Sequence, residues 1–215
     1  MSRPVLIYRL VVLALTAFYF ADRFRVEDFG NMAEFGWQFR YLTIWALTGS
    51  LVAAALMLVP ALGRPGPKAE VFVSVVAVVN MIVVVSYWRL YFTDPTLVMG
   101  DKQIVAYREY YLHLLGPLLQ WIDVLWIKRA FRWPLRVALW LGVLVLAYVV
   151  WAEGVVHPLN AEPVGSVTNG LPYPFLNDMV LAERAVFYGV TFASGLVFLL
   201  VLWAAQLGLN RLRRV

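Results

Sequence analysis

The sequence predicts an all-α membrane protein, a single integral membrane domain (1–215) built as a bundle of six transmembrane helices. Of its 215 residues, 62% are hydrophobic and only 14% are charged, whereas a soluble domain is about 45–50% apolar and about 25% charged. Six apolar stretches approach the roughly 20 residues that a helix needs to cross a membrane. The basic residues are also concentrated in the segments predicted to lie on one side of the membrane. These three observations define the fold class.

The six predicted spans are close in length to a membrane-crossing helix, and they cover residues 4–21, 40–60, 70–92, 106–127, 135–156 and 183–208. The first stretch has no small-residue cleavage site before Asp22, so we expect a helix and not a signal peptide. Residues 63–68 are rich in proline and glycine, which is typical of a loop. We therefore predict a multi-pass integral membrane protein, located in the plasma (inner) membrane if its source is bacterial.

The charge distribution predicts that both termini are cytoplasmic. That side then carries 11 of the 18 basic residues, in agreement with the positive-inside rule, namely Arg3, Arg9, Arg64, Lys68, Lys128, Arg129, Arg132, Arg136, Arg211, Arg213 and Arg214. Only two acidic residues, Glu70 and Asp123, lie there. The net charge of +5 is thus explained by topology, with membrane lipids as partners, and no nucleic-acid role is expected.

The fourth span contains an unusual row of polar residues around a histidine. Helical spacing places five residues on one face of this span: Glu109, His113, Gly116, Pro117 and Gln120. Ionisable side chains are costly in hydrocarbon, so His113 should face the bundle interior and is a candidate functional residue. Pro117 has no N–H for the carbonyl of His113, so we expect the helix to kink there and free one acceptor.

Several polar residues allow two interpretations from the residues alone. His113 is either functional or a hydrogen-bond partner between helices. Asn80, in the middle of the third span, either joins helices or donates to an oxyanion. Asp123 lies near the cytoplasmic end, where we expect it to pair with Lys128 or Arg129. The chain has two histidines and no cysteine, so we predict no metal and no other cofactor.

A hydroxyl partner for His113 has to lie at a similar depth in the membrane. His113 lies about seven residues into its span, or about 10 Å, and Thr43 lies about three residues into the second span from the same side. A threonine in a membrane helix usually bonds back to a carbonyl of the preceding turn. Depth and spacing alone therefore favour a structural role for Thr43.

Three short motifs together resemble one known family. They are Arg-Tyr-Leu-Thr-Ile-Trp at 40–45, His-Leu-Leu-Gly-Pro at 113–117 with Asp123, and Pro-Tyr-Pro-Phe-Leu-Asn at 172–177. Their order and their positions relative to the spans resemble the androgen-induced membrane hydrolases, a family that includes the androgen-dependent TFPI-regulating protein. The resemblance covers essentially the whole chain, and we expect a bacterial member.

The resemblance implies an intramembrane threonine hydrolase of lipid or fatty acyl esters, such as fatty acid esters of hydroxy fatty acids. The family motifs map the nucleophile to Thr43 and the general base to His113, and the candidate supporting residues are Glu109, Asn80, Gln120 and Asp123. The alternative is a non-enzymatic lipid-binding, transport or assembly protein in which His113 and Asn80 are structural polar groups. The sequence does not predict the oligomeric state.

Overall fold

The computed structural model describes residues 2–25, 35–66, 68–99, 105–160 and 170–212, and these residues form an all-helical bundle without a β-strand. Six long helical segments make up the bundle: α1 (Arg3–Asp22), α2 (Leu42–Ala61), α3 (Glu70–Thr93), α4 (106–128), α5 (Pro134–Leu159) and α6 (Leu181–Leu212). Shorter elements connect them: a 3₁₀ turn at Trp37–Arg40 and two short helices at Thr96–Met99 and Pro174–Asn177.

The helix bounds follow the predicted spans to within four residues, the largest difference being the end of α6 at 212 where 208 was predicted. Among the described residues, five helices (α1, α2, α3, α5 and α6) are long and apolar enough to cross a membrane. The fourth predicted span, 106–127, also forms a helical segment, but π-helical turns divide it into α-helical stretches that are each too short to be counted as a span. Six spans and cytoplasmic termini therefore remain predictions.

The third helix lies at the centre of the bundle. α3 packs against α2, α4, α5 and α6, while α1 packs against α2 and α4. The apolar window of α3 is 61% buried, against 39% or less in the other four long apolar helices. Its sequence explains this position, because α3 carries valine on nearly every face and a helix that is apolar all round is buried on all sides.

α4 is irregular around its histidine and proline. It runs through Ala106–Tyr110, a π-helical turn at Tyr111–Leu115, Gly116–Trp121 and a second π-helical turn at Ile122–Lys128. The first π turn ends at Leu115, two residues before Pro117, which cannot donate to the preceding turn. The carbonyl of His113 instead accepts a hydrogen bond from the indole Nε1–H of Trp88 at 2.8 Å. The carbonyl of His113 is thus available to a side-chain donor as predicted, while the predicted kink stays a prediction.

The ion pairs at the far end of α4 differ from the prediction. Asp123 is 1% exposed and accepts two hydrogen bonds from the guanidinium of Arg9, at 2.8 and 2.7 Å. Lys128 lies near the rim and pairs with Glu70 at 3.1 Å. The expectation that Asp123 pairs with Lys128 or Arg129 is wrong, because Asp123 points inward to α1, where a buried arginine needs a counter-charge.

Candidate active site

One end of the bundle encloses a cavity. This site end is where α1 ends at Asp22, α2 begins at Leu42 and α4 begins at Ala106. The cavity measures about 290 Å³ and is lined by residues of α2 to α6, by Arg23 directly after α1, and by Pro172, Tyr173, Phe175 and Leu176. Small-molecule pockets span about 300–1,000 Å³, so this cavity is near the lower end. Its apolar wall includes Val79, Ile82, Val83, Leu144, Val145 and Phe187.

The structure brings the two predicted catalytic residues to this one cavity. Thr43 lines it from the first turn of α2, and His113 lines it from the first π turn of α4. The two residues are 70 positions apart in the sequence (113 minus 43). Helix packing thus places a hydroxyl and an imidazole in a common, mostly apolar space.

The hydroxyl of Thr43 is arranged differently from those of the other threonines in the long helices. Thr16, Thr48 and Thr191 each donate to the carbonyl four residues earlier, at 2.7–2.8 Å. This is the usual arrangement in membrane helices. Thr43 is the second residue of α2, so no turn of the same helix precedes it, and its side chain lies beside the hydroxyl of Tyr173. The described hydrogen bonds therefore include none from Thr43 to a carbonyl of a preceding turn.

Tyr173 fixes the segment before α6 to the start of α2. Its hydroxyl accepts the backbone N–H of Leu42 at 3.2 Å and lies near the hydroxyl of Tyr148, which donates to the carbonyl of Arg40 at 2.9 Å. Burial raises the pKa of Tyr173 to about 12. The phenol is therefore neutral near pH 7 and can serve as a hydrogen-bond donor beside Thr43.

His113 is held by a carboxylate and by an aromatic ring. Its Nε2 lies 3.3 Å from Oε2 of Glu109, one turn earlier on α4, and its ring stacks on Tyr87 with centroids 3.6 Å apart. Glu109 also lies beside the hydroxyl of Tyr87. A neutral imidazole that donates Nε2–H to a carboxylate keeps Nδ1 as an acceptor. Nδ1 is enclosed and has no hydrogen-bond partner in the described ranges.

Of the four candidate supporting residues, only Glu109 lies at the cavity. Asn80 uses its amide hydrogens on the hydroxyl of Ser50, at 2.8 Å, and on the side-chain oxygen of Gln120. These bonds join α2, α3 and α4 below the cavity, which agrees with the interhelical interpretation. Because both hydrogens are used, Asn80 has none left for an oxyanion. Asp123 lies at the opposite end of the bundle, paired with α1.

The sequence did not single out Tyr87, Tyr148 or Arg23, which also line the cavity. Tyr87 lies seven residues after Asn80, so both fall on one face of α3, and this spacing could have identified it. Tyr148 gives no such signal among the many aromatic residues of the chain. Arg23 follows the last residue of a span, where an arginine is expected at the membrane surface.

Comparison with known protein families identifies a match over almost the whole chain. A family model described as FAR-17a/AIG1-like protein matches residues 5–208. The match extends from α1 into α6 and includes every residue assigned to the site. No curated protein and no solved structure matches the chain.

Proposed function

Because the chain belongs to the FAR-17a/AIG1-like family, we propose that it is an intramembrane hydrolase of lipid or fatty acyl esters. Thr43 is the nucleophile and His113 is the general base. The observation that supports this most strongly is that both residues line one apolar cavity, in which the side chain of Thr43 lies beside Tyr173. The family assignment agrees with the resemblance seen in the sequence.

Acylation begins with transfer of the Thr43 proton. Nδ1 of His113 accepts the proton as Oγ1 of Thr43 attacks the ester carbonyl, since a hydroxyl is a weak nucleophile without a base. Glu109 holds the imidazole through Nε2 and stabilises the imidazolium that forms. When the tetrahedral intermediate collapses, the ester C–O bond breaks and the alcohol leaves with the proton from His113. The acyl group is then bound to Thr43.

Deacylation uses the same base on water. Nδ1 of His113 takes a proton from the water as its oxygen attacks the acyl carbonyl. The second tetrahedral intermediate releases the fatty acid, and Oγ1 of Thr43 recovers its proton from the imidazolium. The site is then ready for another ester.

Two donors beside Thr43 suit the negative charge that develops on the carbonyl oxygen. The backbone N–H of Thr43 has no hydrogen-bond acceptor within the described part of the chain and belongs to the first turn of α2, where the helix dipole favours an anion. Tyr173, neutral near pH 7, is the second donor. A nucleophile's own N–H and a nearby donor form this kind of site in other acyl-transfer enzymes.

We also propose that α4 crosses the membrane with the other five long helices and that both termini are cytoplasmic. The basic residues support this orientation, because Arg3, Arg64 and Lys68 lie at the end of the bundle opposite the site. The cavity then lies in the outer half of the membrane. An acyl chain reaches it from the outer leaflet.

The proposal is tested by labelling the purified full chain in detergent with a fluorophosphonate that carries an acyl chain. We expect the parent to be labelled and both Thr43→Ala and His113→Ala to lose labelling and ester hydrolysis by about 100-fold or more. Thr48→Ala is the matched control, since Thr48 lies on the same helix and bonds back to a carbonyl. If both site variants fold and react like the parent, the proposal is wrong.

A further inference from the structure

A second, smaller cavity lies beyond Thr43, towards the middle of the bundle. We call it the inner cavity, and its polar lining consists of Thr16, Thr43, Ser50, Asn80 and Tyr111. Among the described residues, Thr43 and Leu112 line both the inner cavity and the main cavity, which is the one that His113 lines. The side chain of the proposed nucleophile therefore lies between the two spaces.

The inner cavity has the size of one water molecule. It measures about 10 Å³, and a single water needs roughly 10–15 Å³ together with about two to four polar partners. The main cavity has a mostly apolar wall, so a bound acyl chain covers that wall and displaces water from it. The inner cavity is too small for an acyl chain, and a water there stays next to Thr43 while the main cavity is occupied.

The polar groups around the inner cavity can both donate to a water and accept from it. The hydroxyl of Ser50 accepts a hydrogen bond from Asn80 at 2.8 Å, and no described residue accepts the proton of Ser50 itself. Thr16 donates to the carbonyl of Val12 at 2.8 Å, so the phenol is the donor in the 2.9 Å bond between Tyr111 and Thr16. The oxygen of Tyr111 keeps its lone pairs. Ser50 can thus donate to the water, and Tyr111 can accept from it.

We propose that the inner cavity binds the water that hydrolyses the acyl-enzyme, and that Ser50 positions this water. The inference rests on the proposed hydrolase function and assigns the source of one reactant. The carbonyl carbon of the acyl-enzyme is bonded to Oγ1 of Thr43, so a water beside this side chain is next to the carbon that it attacks. As the water oxygen bonds to that carbon, one of its protons passes to Nδ1 of His113. The bond from the carbon to Oγ1 then breaks, Oγ1 takes the proton back, and the fatty acid leaves.

The test measures how the acyl-enzyme is divided between two nucleophiles. The full chain in detergent is given a para-nitrophenyl ester of a long-chain fatty acid together with methanol, and the free acid and its methyl ester are quantified. Methanol is larger than a water and reaches the acyl group through the main cavity. Ser50→Val fills the inner cavity and removes a donor. We therefore expect its ratio of methyl ester to acid to exceed that of the parent by about tenfold or more, because water is no longer held beside the carbonyl.

Thr48→Val is the matched control, because Thr48 lies on the same helix, bonds back to a carbonyl and lines neither cavity. Its ratio should equal that of the parent. Ser50→Ala keeps the space and loses only the donor, so its ratio should rise less than that of Ser50→Val. The ratio is set after acylation, so a general loss of activity does not change it. The inference is refuted if folded Ser50→Val keeps the ratio of the parent or, should valine prevent folding, if Ser50→Ala keeps it.

A second measurement detects the water without any turnover. A short X-ray pulse converts bound water into hydroxyl radicals that oxidise adjacent side chains, and mass spectrometry locates the oxidised residues. Tyr111 is only 2% exposed, yet it should be oxidised in the parent and several-fold less in Ser50→Val. Phe131, 1% exposed and outside the lining of the inner cavity, is the buried reference. If the parent hydrolyses no ester, the proposed function fails, while this labelling still decides whether the inner cavity binds water. Oxidation of Tyr111 no stronger than that of Phe131 refutes the water site.

Discussion

The residues of the site were predictable where they lie on one helix and unpredictable where they meet across helices. Glu109 and His113 are four positions apart, so helical geometry alone brings them together, and the structure places them 3.3 Å apart. The side chains of Thr43 and Tyr173, which lie beside each other, belong to positions 130 residues apart (173 minus 43). No local pattern encodes such a contact, which depends on how the segment before α6 packs on α2.

Removing the charge of Glu109 should slow the chemistry of the site. In Glu109→Gln the neutral amide no longer stabilises the imidazolium and can turn its NH₂ towards Nε2, so we expect fluorophosphonate labelling to slow by about tenfold or more. The measurement is the labelling rate, with the melting temperature recorded alongside. Glu183→Gln, an exposed carboxylate at the start of α6, should label like the parent. An unchanged rate in folded Glu109→Gln would exclude Glu109 as the orienting group.

At the scale of elements, the apolar pattern located the helices but not their irregular turns. Hydropathy fixes the bounds of a span because it measures length and composition, whereas a π turn adds one residue to a turn and leaves the composition unchanged. Pro117 nevertheless indicated where α4 would be irregular. The turn that begins at Gly170 could not be inferred from hydropathy. It has a φ of +84° there, in the left-handed region that favours glycine.

Gly170→Ala should displace the segment that carries Tyr173. A Cβ at this position would lie 2.6 Å from the carbonyl oxygen of His157 and 2.7 Å from that of Asn160, and backbone atoms cannot easily move aside. We expect a loss of about 1–3 kcal/mol in stability together with slower labelling of Thr43. Thermal unfolding and the labelling rate measure the two effects.

Gly208→Ala is the control for this change. Gly208 lies within α6 with open space around its Cβ position, so alanine there should leave the labelling rate unchanged and raise stability slightly. Equal behaviour of the two variants would show that the turn at Gly170 does not position the site.

For the whole molecule, the cavity and the buried ion pair lie at opposite ends of the bundle. The site end contains the cavity, and the opposite end contains the buried pair of Arg9 and Asp123, which joins α1 to α4. Arg9 also donates to the carbonyl of Met57, so α2 takes part in the same contact. The uneven distribution of basic residues between the two ends of the bundle could be predicted from the sequence. The partner of Asp123 was not, because it lies 114 residues away.

Breaking the buried pair should affect stability and leave the chemistry intact. Asp123→Asn removes the charge that pairs with Arg9, and removing one partner of a buried pair costs about 3–5 kcal/mol. We expect a lower melting temperature in detergent and an unchanged labelling rate at temperatures where the variant is folded. The double variant Arg9→Met with Asp123→Leu should be less destabilised, because both charges are removed. Slower labelling by fully folded Asp123→Asn would place Asp123 in the catalytic machinery after all.

The central claim is that Thr43 carries the acyl group during hydrolysis. Its most direct test is to label the parent with the fluorophosphonate, digest the chain and locate the adduct by tandem mass spectrometry. We predict that the adduct lies on Thr43, and that a slowly hydrolysed ester leaves its acyl group on the same residue. An adduct on another hydroxyl of the cavity, such as Ser86, Tyr173 or Thr191, would contradict the account.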